Sequence, residues 1–345
     1  MEYRNLGRSS LKVSPICVGT MNFGDRTDAA EAGRIVASAR EAGVNFIDTA
    51  DAYANGDSER LTGKLIAPDR DRWVLATKVA NPIPAPGISK PGGDDPNRRG
   101  TGRKWIMAAI DESLERLGTD YVDIYYLHKD VAETPLEESA RAMGDLIAAG
   151  KVRYFGLSNF RGWRIAEMAN VCRSLGVPEP VVCQPYYNAM NRQPENDILP
   201  ACAYHGIGVV PYSPLARGVL TAKYKPGEKP PEGTRAGRND KRILETEFRD
   251  ESLAIAQRLK DHATKKGSTP GHFAVRWVLA NPIITSVIAG PRTLEQWKDY
   301  LAAPDAKFDA EDEALVDTLV SPGHPSTPGY NDPAYPLTGR PVARD

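Results

Sequence analysis

Short runs of β-branched and aromatic residues recur along the chain, and each is followed by a stretch whose apolar positions repeat with helical period. The runs lie at 16–20, 45–50, 73–78, 121–128, 152–160, 181–188, 206–215 and 285–290. The helical stretches lie at 28–43, 56–67, 103–117, 135–150, 161–175, 194–205 and 250–281. Several end in the pairs expected at helix C-caps: Ala42-Gly43, Leu117-Gly118, Ala149-Gly150 and Leu175-Gly176. Alternation of this kind predicts parallel βαβ units, either in an open doubly wound sheet or in a closed (β/α)8 barrel. Polar residues end otherwise apolar runs at Asp48, Lys78, His128, Ser158-Asn159 and Gln184. Five strands aiming polar groups at one rim favour the barrel, whose reactive residues sit at the C-terminal ends of several strands.

The α/β class and a (β/α)8 TIM barrel therefore follow, as one domain spanning 1–345. Three parts stand outside the repeat. Residues 1–14 read as a hairpin around Gly7-Arg8-Ser9-Ser10 that closes the barrel bottom. Residues 79–102, with five prolines and five glycines, and 216–249 are long loops that follow strand ends and so overhang the C-terminal face. Beyond the barrel proper, 15–319, the stretch 320–345 is a Pro-rich tail.

Composition narrows the function. With 41% hydrophobic and 26% charged residues among 345, the chain is an ordinary globular protein, not a disordered, collagen-like or disulfide-built one. The 44 basic residues balance 45 acidic ones, so no global field draws it to nucleic acid or an anionic membrane. A small or modestly charged partner is expected; oligomeric state is left open. There is no signal-peptide pattern and no run of 18 apolar residues, which predicts a cytoplasmic protein. Cys17, Cys172, Cys183 and Cys202 lack redox or zinc spacing and read as reduced core residues. No metal site is expected, because the five histidines are scattered. Gly206-Ile-Gly208 ends in Pro211 and leads into a strand, so it is no dinucleotide fingerprint. Gly156-Leu-Ser158-Asn-Phe160 lacks the last glycine of a nucleophile elbow.

What remains is the rim set Asp48, Tyr53, Lys78 and His128. Each alone is ordinary, but together they are coherent. Asp48 can pair with Lys78 and hold an ammonium beside the Tyr53 phenol, which should lower its pKa of about 10 by one to three units and make it a general acid.

The run Asp48-Thr-Ala50-x-x-Tyr53-x-x-Gly56-x-Ser58-Glu59 resembles the first signature of the aldo-keto reductases. Tyr121-Val-Asp123-Ile-x-x-Leu127-His128 and Gly156-Leu-Ser158-Asn-Phe160 resemble later ones, and the similarity runs in order from about Tyr3 to Leu319. The resemblance implies a barrel that binds a nicotinamide cofactor, usually NADPH, with NADH an alternative, and that reduces carbonyls. It makes Asp48, Tyr53, Lys78 and His128 the catalytic tetrad, with Tyr53 the proton donor. It places Ser158, Asn159 and Gln184 on the carboxamide, Tyr212 stacked on the nicotinamide, and Gly19 and Thr20 beside its ribose. Ser213, Leu215 and Arg217 belong to the same cofactor set, as do Gly290, Arg292 and Gln296, with Arg292 suited to a 2′-phosphate. Gly290 and Gln296 stand where one branch has Lys and Arg, and Tyr300 where Asn is common near the adenine. Met21 replaces the Trp of many relatives, which would widen the substrate pocket.

Residues 217–242 carry eight basic groups against three acidic ones, which reads as a flap over the pyrophosphate or as a solvated loop. The tail, with Tyr330 and Tyr335 among prolines, either straps the barrel's outside or a partner subunit, or borders the mouth. In the latter case a bulky, oxygen-rich ketone such as a sugar is implied. Two competing functions remain: a Schiff-base lyase using Lys78, and a non-catalytic cofactor-binding subunit like the voltage-gated potassium channel beta subunits that resemble this family.

Overall fold

The computed structural model describes residues 1–83 and 95–336. A hairpin of β1 (Arg4–Asn5) and β2 (Lys12–Val13) precedes eight barrel strands. These are β3 (Ile16–Gly19), β4 (Phe46–Asp48), β5 (Val74–Val79), β6 (Val122–Leu127), β7 (Val152–Ser158), β8 (Val182–Gln184), β9 (Gly208–Val209) and β10 (Val287–Ala289). All neighbouring pairs from β10 through β3 to β9 are parallel. Parallel bridges Val209↔Ile284 and Tyr212↔Ile288 then join β9 to β10, which closes the barrel.

The helices are α1 (Ala29–Glu41), α2 (Asp57–Ile66), α3 (Arg103–Leu117), α4 (Leu136–Ala148), α5 (Gly162–Leu175), α6 (Ile198–His205), α7 (Lys241–Thr246), α8 (Asp250–Lys265), α9 (Pro270–Ala280), α10 (Leu294–Ala302) and α11 (Ala310–Leu319). The helix expected over 250–281 is broken in two. Gly267 leaves at φ +72°, and Thr269 caps the His272 N–H with Pro270 at the first helical position. Helices α7, α10 and α11 fall outside the helical stretches expected from the sequence, although Asp240, Thr293 and Asp309 carry their N-cap signals.

The alternation of strand side chains positions the site. On β5, Leu75 and Val79 pack outward under the helices, whereas Val74 and Ala76 fill the barrel interior. Period two therefore turns Lys78 inward as the next layer. By the same alternation Asp48 follows interior Phe46, and His128 follows interior Ile124 and Tyr126. The opposite end is plugged by Leu6 and Val13 of the hairpin, both fully buried. That plug needs glycine at 7, because φ is +57° and a Cβ would lie 2.5 Å from the Gly208 nitrogen.

Candidate active site

Lys78 is wholly buried at the top of the interior and makes three contacts. Its Nζ pairs with Asp48 Oδ1, donates to the Thr49 carbonyl at 2.6 Å, and lies 3.3 Å from the Tyr53 hydroxyl. The other Asp48 oxygen accepts from Gln184 Nε2 at 2.9 Å, so the carboxylate is held from two strands. Tyr53 is carried on a tight turn: Ala54, Asn55 and Gly56 all have positive φ, a strained run for two non-glycine residues. Behind the turn, Ser58 bonds Thr20 and Thr49, and Glu59 accepts from Thr77 at 2.5 Å and from Arg116 at 2.6 Å. The His128 ring meets Tyr53 edge-on at 5.8 Å.

Electrostatics correct one expectation. The Tyr53 phenol is pushed up, not down, because burial outweighs the nearby Lys78 ammonium, and Asp48 adds to the rise. For Lys78 burial is the largest single influence and acts downward, but Asp48 and Tyr53 together hold its pKa above the usual value. Asp48 itself is raised by burial against the pull of Lys78. His128 is held well below the ordinary histidine range by burial and by Lys78 and Lys129, so its imidazole is neutral. Asn81 Nδ2 lies 3.1 Å from His128 Nδ1. An amide NH2 only donates, so Nδ1 accepts and the proton sits on Nε2.

Asp48, Tyr53 and His128 open into a cavity of about 490 Å³, and all twelve residues expected at the cofactor line it. Asn159, in the left-handed region at φ +58°, donates to the His128 carbonyl at 2.8 Å and accepts from Tyr212 OH at 2.8 Å. Ser158 donates to the Gln184 carbonyl. Tyr212 stacks on Tyr186 at 5.5 Å, and the Arg217 guanidinium covers Tyr186. Gln296 Oε1 accepts from the Arg292 backbone N–H at 2.9 Å.

Five of the eight basic groups of the 217–242 segment, Arg217, Lys223, Arg235, Arg238 and Arg242, also reach this cavity. A second hollow of about 550 Å³ is lined by Arg26, Arg238, Arg292 and Asp240. Arg292 has no ion pair among the described residues, and its pKa is lowered by burial, then by Arg238 and Arg26. Arg238 and Arg292 repel one another and have no ion pair among the described residues, while Arg26 shares Asp240, so the cluster carries more positive charge than its carboxylates balance, which a nucleotide's phosphates would offset. The donor set therefore fits a dinucleotide.

Sequence reasoning missed Asn81, Arg26 and the buried Glu59–Arg116 pair. Asn81 stands three residues past Lys78, close enough in sequence to have been weighed. Part of the 79–102 loop, residues 84–94, lies outside the described residues. A nucleophilic role for Lys78 fits poorly, since its ammonium is buried, paired and kept charged.

The aldo/keto reductase family model matches residues 15–321. An uncharacterized oxidoreductase YrpG of Bacillus subtilis is 36% identical over 342 residues, covering 96% of this chain and 99% of its own. Versiconal hemiacetal acetate reductase of Aspergillus parasiticus is 31% identical over 345 residues, 94% of this chain and 99% of its own. A probable voltage-gated potassium channel subunit beta of Arabidopsis thaliana is 37% identical over 310 residues, 88% of this chain and 92% of its own. With the tetrad gathered at the strand ends of a closed barrel and the match covering most of its length, this chain belongs to the aldo/keto reductase family and is an NAD(P)H-dependent oxidoreductase.

Proposed function

We propose that the chain is an NADPH-dependent reductase of aldehydes and ketones, able to run in reverse on alcohols. The observation that carries this reading is the buried Asp48–Lys78 pair touching the Tyr53 hydroxyl at the floor of the cavity. The bound nicotinamide would supply the hydride. Ser158, Asn159, Gln184 and Tyr212 would hold its ring, with Gly19 and Thr20 beside the ribose. Ser213, Leu215 and Arg217 would take the pyrophosphate side, and Gly290, Arg292 and Gln296 the adenosine end. His128 donates from Nε2 to the carbonyl oxygen and polarises it. Tyr53 then protonates the oxygen as it becomes an alkoxide. An alkoxide is far more basic than a phenolate, so the raised phenol pKa is no obstacle; burial keeps the donor protonated at neutral pH, and Lys78 stabilises the phenolate left behind. Alcohol oxidation, which needs that phenolate, is favoured by alkaline solution.

The Arg238 and Arg292 guanidiniums, without an ion pair among the described residues, support NADPH over NADH, because a 2′-phosphate adds charge where they converge with Arg26, itself paired to Asp240. The chain acts as one barrel unit over 1–345, on a small carbonyl compound, in the cytoplasm; no described helix is long and apolar enough to cross a membrane. A second reading, a cofactor-binding partner subunit, is favoured by the Arabidopsis relative's name. One experiment separates them: Tyr53→Phe should lower NADPH-linked carbonyl reduction by roughly 10²–10⁴-fold while NADPH binding stays within a few-fold. Retention of more than about a tenth of kcat, with chemistry rate-limiting, rejects the acid assignment; no turnover by the parent protein favours the partner role.

A further inference from the structure

Strand alternation turns Lys78 into the barrel and should turn Asn81, three residues on, outward toward the helices. Asn81 instead lines the cavity beside His128. The reversal is made at Ala80, whose φ of +148° lies in a region that favours glycine and strains a residue with a side chain. Ala80 is fully buried, and its carbonyl accepts from the N–H of Gly100, at the other end of the loop that follows β5, at 2.8 Å. On the neighbouring strand, Leu127 pairs in register with Val79, and the Val79 carbonyl accepts from the His128 N–H at 2.8 Å. The His128 carbonyl accepts from Asn159 Nδ2, also at 2.8 Å. Both backbone groups of His128 are thereby fixed, and its ring meets the Asn81 amide at Nδ1. A strained residue persists where the surrounding structure needs what it aims. What Ala80 aims is Asn81.

We propose that Asn81 is a positioning residue for carbonyl reduction: its amide N–H selects the His128 tautomer that carries its proton on Nε2, and the strained turn at Ala80 aims that amide. The proposal rests on the carbonyl-reductase reading and adds to it a residue outside the tetrad. A neutral imidazole has one N–H, and the partner at one nitrogen decides which nitrogen bears it. Burial, Lys78 and Lys129 keep His128 neutral, so the choice is open. A donor at Nδ1 leaves the proton on Nε2, where it can polarise the carbonyl oxygen. An acceptor at Nδ1 would draw the proton there and turn a lone pair on Nε2 against that oxygen. The other groups around the ring do not make this choice. Lys78 and Lys129 act through charge, Tyr53 meets the ring edge-on, and Asn159 bonds only the backbone. Among the described residues, Asn81 alone hydrogen-bonds the ring.

Asn81→Asp tests this by exchanging the donor for an acceptor of nearly the same shape. The carboxylate takes the Nδ1 proton and raises the His128 pKa, since an opposite charge favours the imidazolium. The imidazolium still donates from Nε2, whereas the neutral ring of this variant does not. NADPH-linked kcat/KM for propanal should therefore fall by at least roughly tenfold as pH rises through the histidine range, the kind of loss seen when one oxyanion donor is removed. In the parent the same range should be flat. Asn81→Leu removes the donor without adding a charge; it should lower kcat by roughly three- to tenfold, the size of one neutral hydrogen bond, and leave the pH profile flat. The tautomer itself is read by 15N NMR of histidine-labelled protein near neutral pH, where the signals of His128 are those that vanish in His128→Gln. The parent should show a bare Nδ1 and a protonated Nε2. The opposite tautomer overturns the proposal whether or not the protein turns over. A flat profile in a folded Asn81→Asp overturns it too, as does an unchanged kcat in Asn81→Leu. If the parent reduces no aldehyde or ketone, the carbonyl-reductase reading falls and the positioning role with it, while the spectrum still decides the tautomer.

Discussion

The Asp48–Lys78 pair offers a perturbation in which folding and catalysis separate. In Asp48→Asn one hydrogen bond is lost whichever way the amide turns. Its oxygen can face Lys78 Nζ or Gln184 Nε2, but its NH2 then meets the other donor. The Lys78 ammonium is left buried without its counter-ion, and burial, already the strongest influence on it, is no longer offset. Removing one partner of a buried pair costs about 3–5 kcal/mol. For 345 residues the unfolding entropy is roughly 0.7 kcal/mol per kelvin, so the melting temperature should fall by about 4–7 °C. Lys78→Met leaves the converse orphan, although Asp48, whose pKa burial has raised, escapes part of the cost by taking up a proton. The double variant removes both charges at nearly constant volume and should recover more than half of the Asp48→Asn loss. Its reductase activity should stay as low as that of Lys78→Met, because Tyr53 has lost the ammonium 3.3 Å from its oxygen. Urea melts and kcat on one set of four proteins make the comparison. A double variant whose destabilisation equals the sum of the singles would refute the buried, mutually dependent pair; one that regained activity would refute the role of Lys78 on the phenol.

Two further outcomes follow from the electrostatics. Arg292→Ala should weaken NADPH by roughly 1.5–3 kcal/mol, the scale of a charge-assisted hydrogen bond, and NADH far less, in fluorescence titrations at one ionic strength; equal losses would remove Arg292 from the 2′-phosphate. Glu247 is fully buried, one of its oxygens lacks a partner, and burial pushes its carboxyl from 4.5 up to about 8, with Arg249 opposing and Asp332 adding. A folded-state pKa above the unfolded one gives stability present at low pH and lost as pH rises from about 4.5 through about 8. Glu247→Gln should thus unfold later than the parent by roughly 3–5 kcal/mol in urea at about pH 9 and by much less at about pH 5, and an equal gain at both would sink the assignment.

Much of the architecture was legible because barrel strands obey two local rules at once. An apolar run bounded by turn residues marks each strand, and the polar residue that ends the run marks which rim it faces; Lys78 after Trp73-Val-Leu-Ala-Thr shows both. The C-cap glycines 43, 118, 150 and 176 were readable for an equally local reason, since all four adopt the positive φ that stops a helix. The break between α8 and α9 was missed because the apolar period continues past Gly267, and the cap at Thr269 was not set against it. The phenol pKa went the wrong way because a charge pair can be read from sequence, while depth of burial depends on everything packed around it. For Tyr53, the Asp48 carboxylate opposes the pull of Lys78, so desolvation decides the sign. The tail posed a harder problem of the same kind. Its prolines say that 322–336 is stiff and its tyrosines say that it wants cover, but neither says where the cover is. That is decided by Arg161, Arg192, Arg242 and Arg249, which come from different parts of the chain and converge only once the barrel has closed. A segment held this way depends on residues remote in sequence, so it can be exchanged without disturbing the strand ends that carry Asp48 and Lys78.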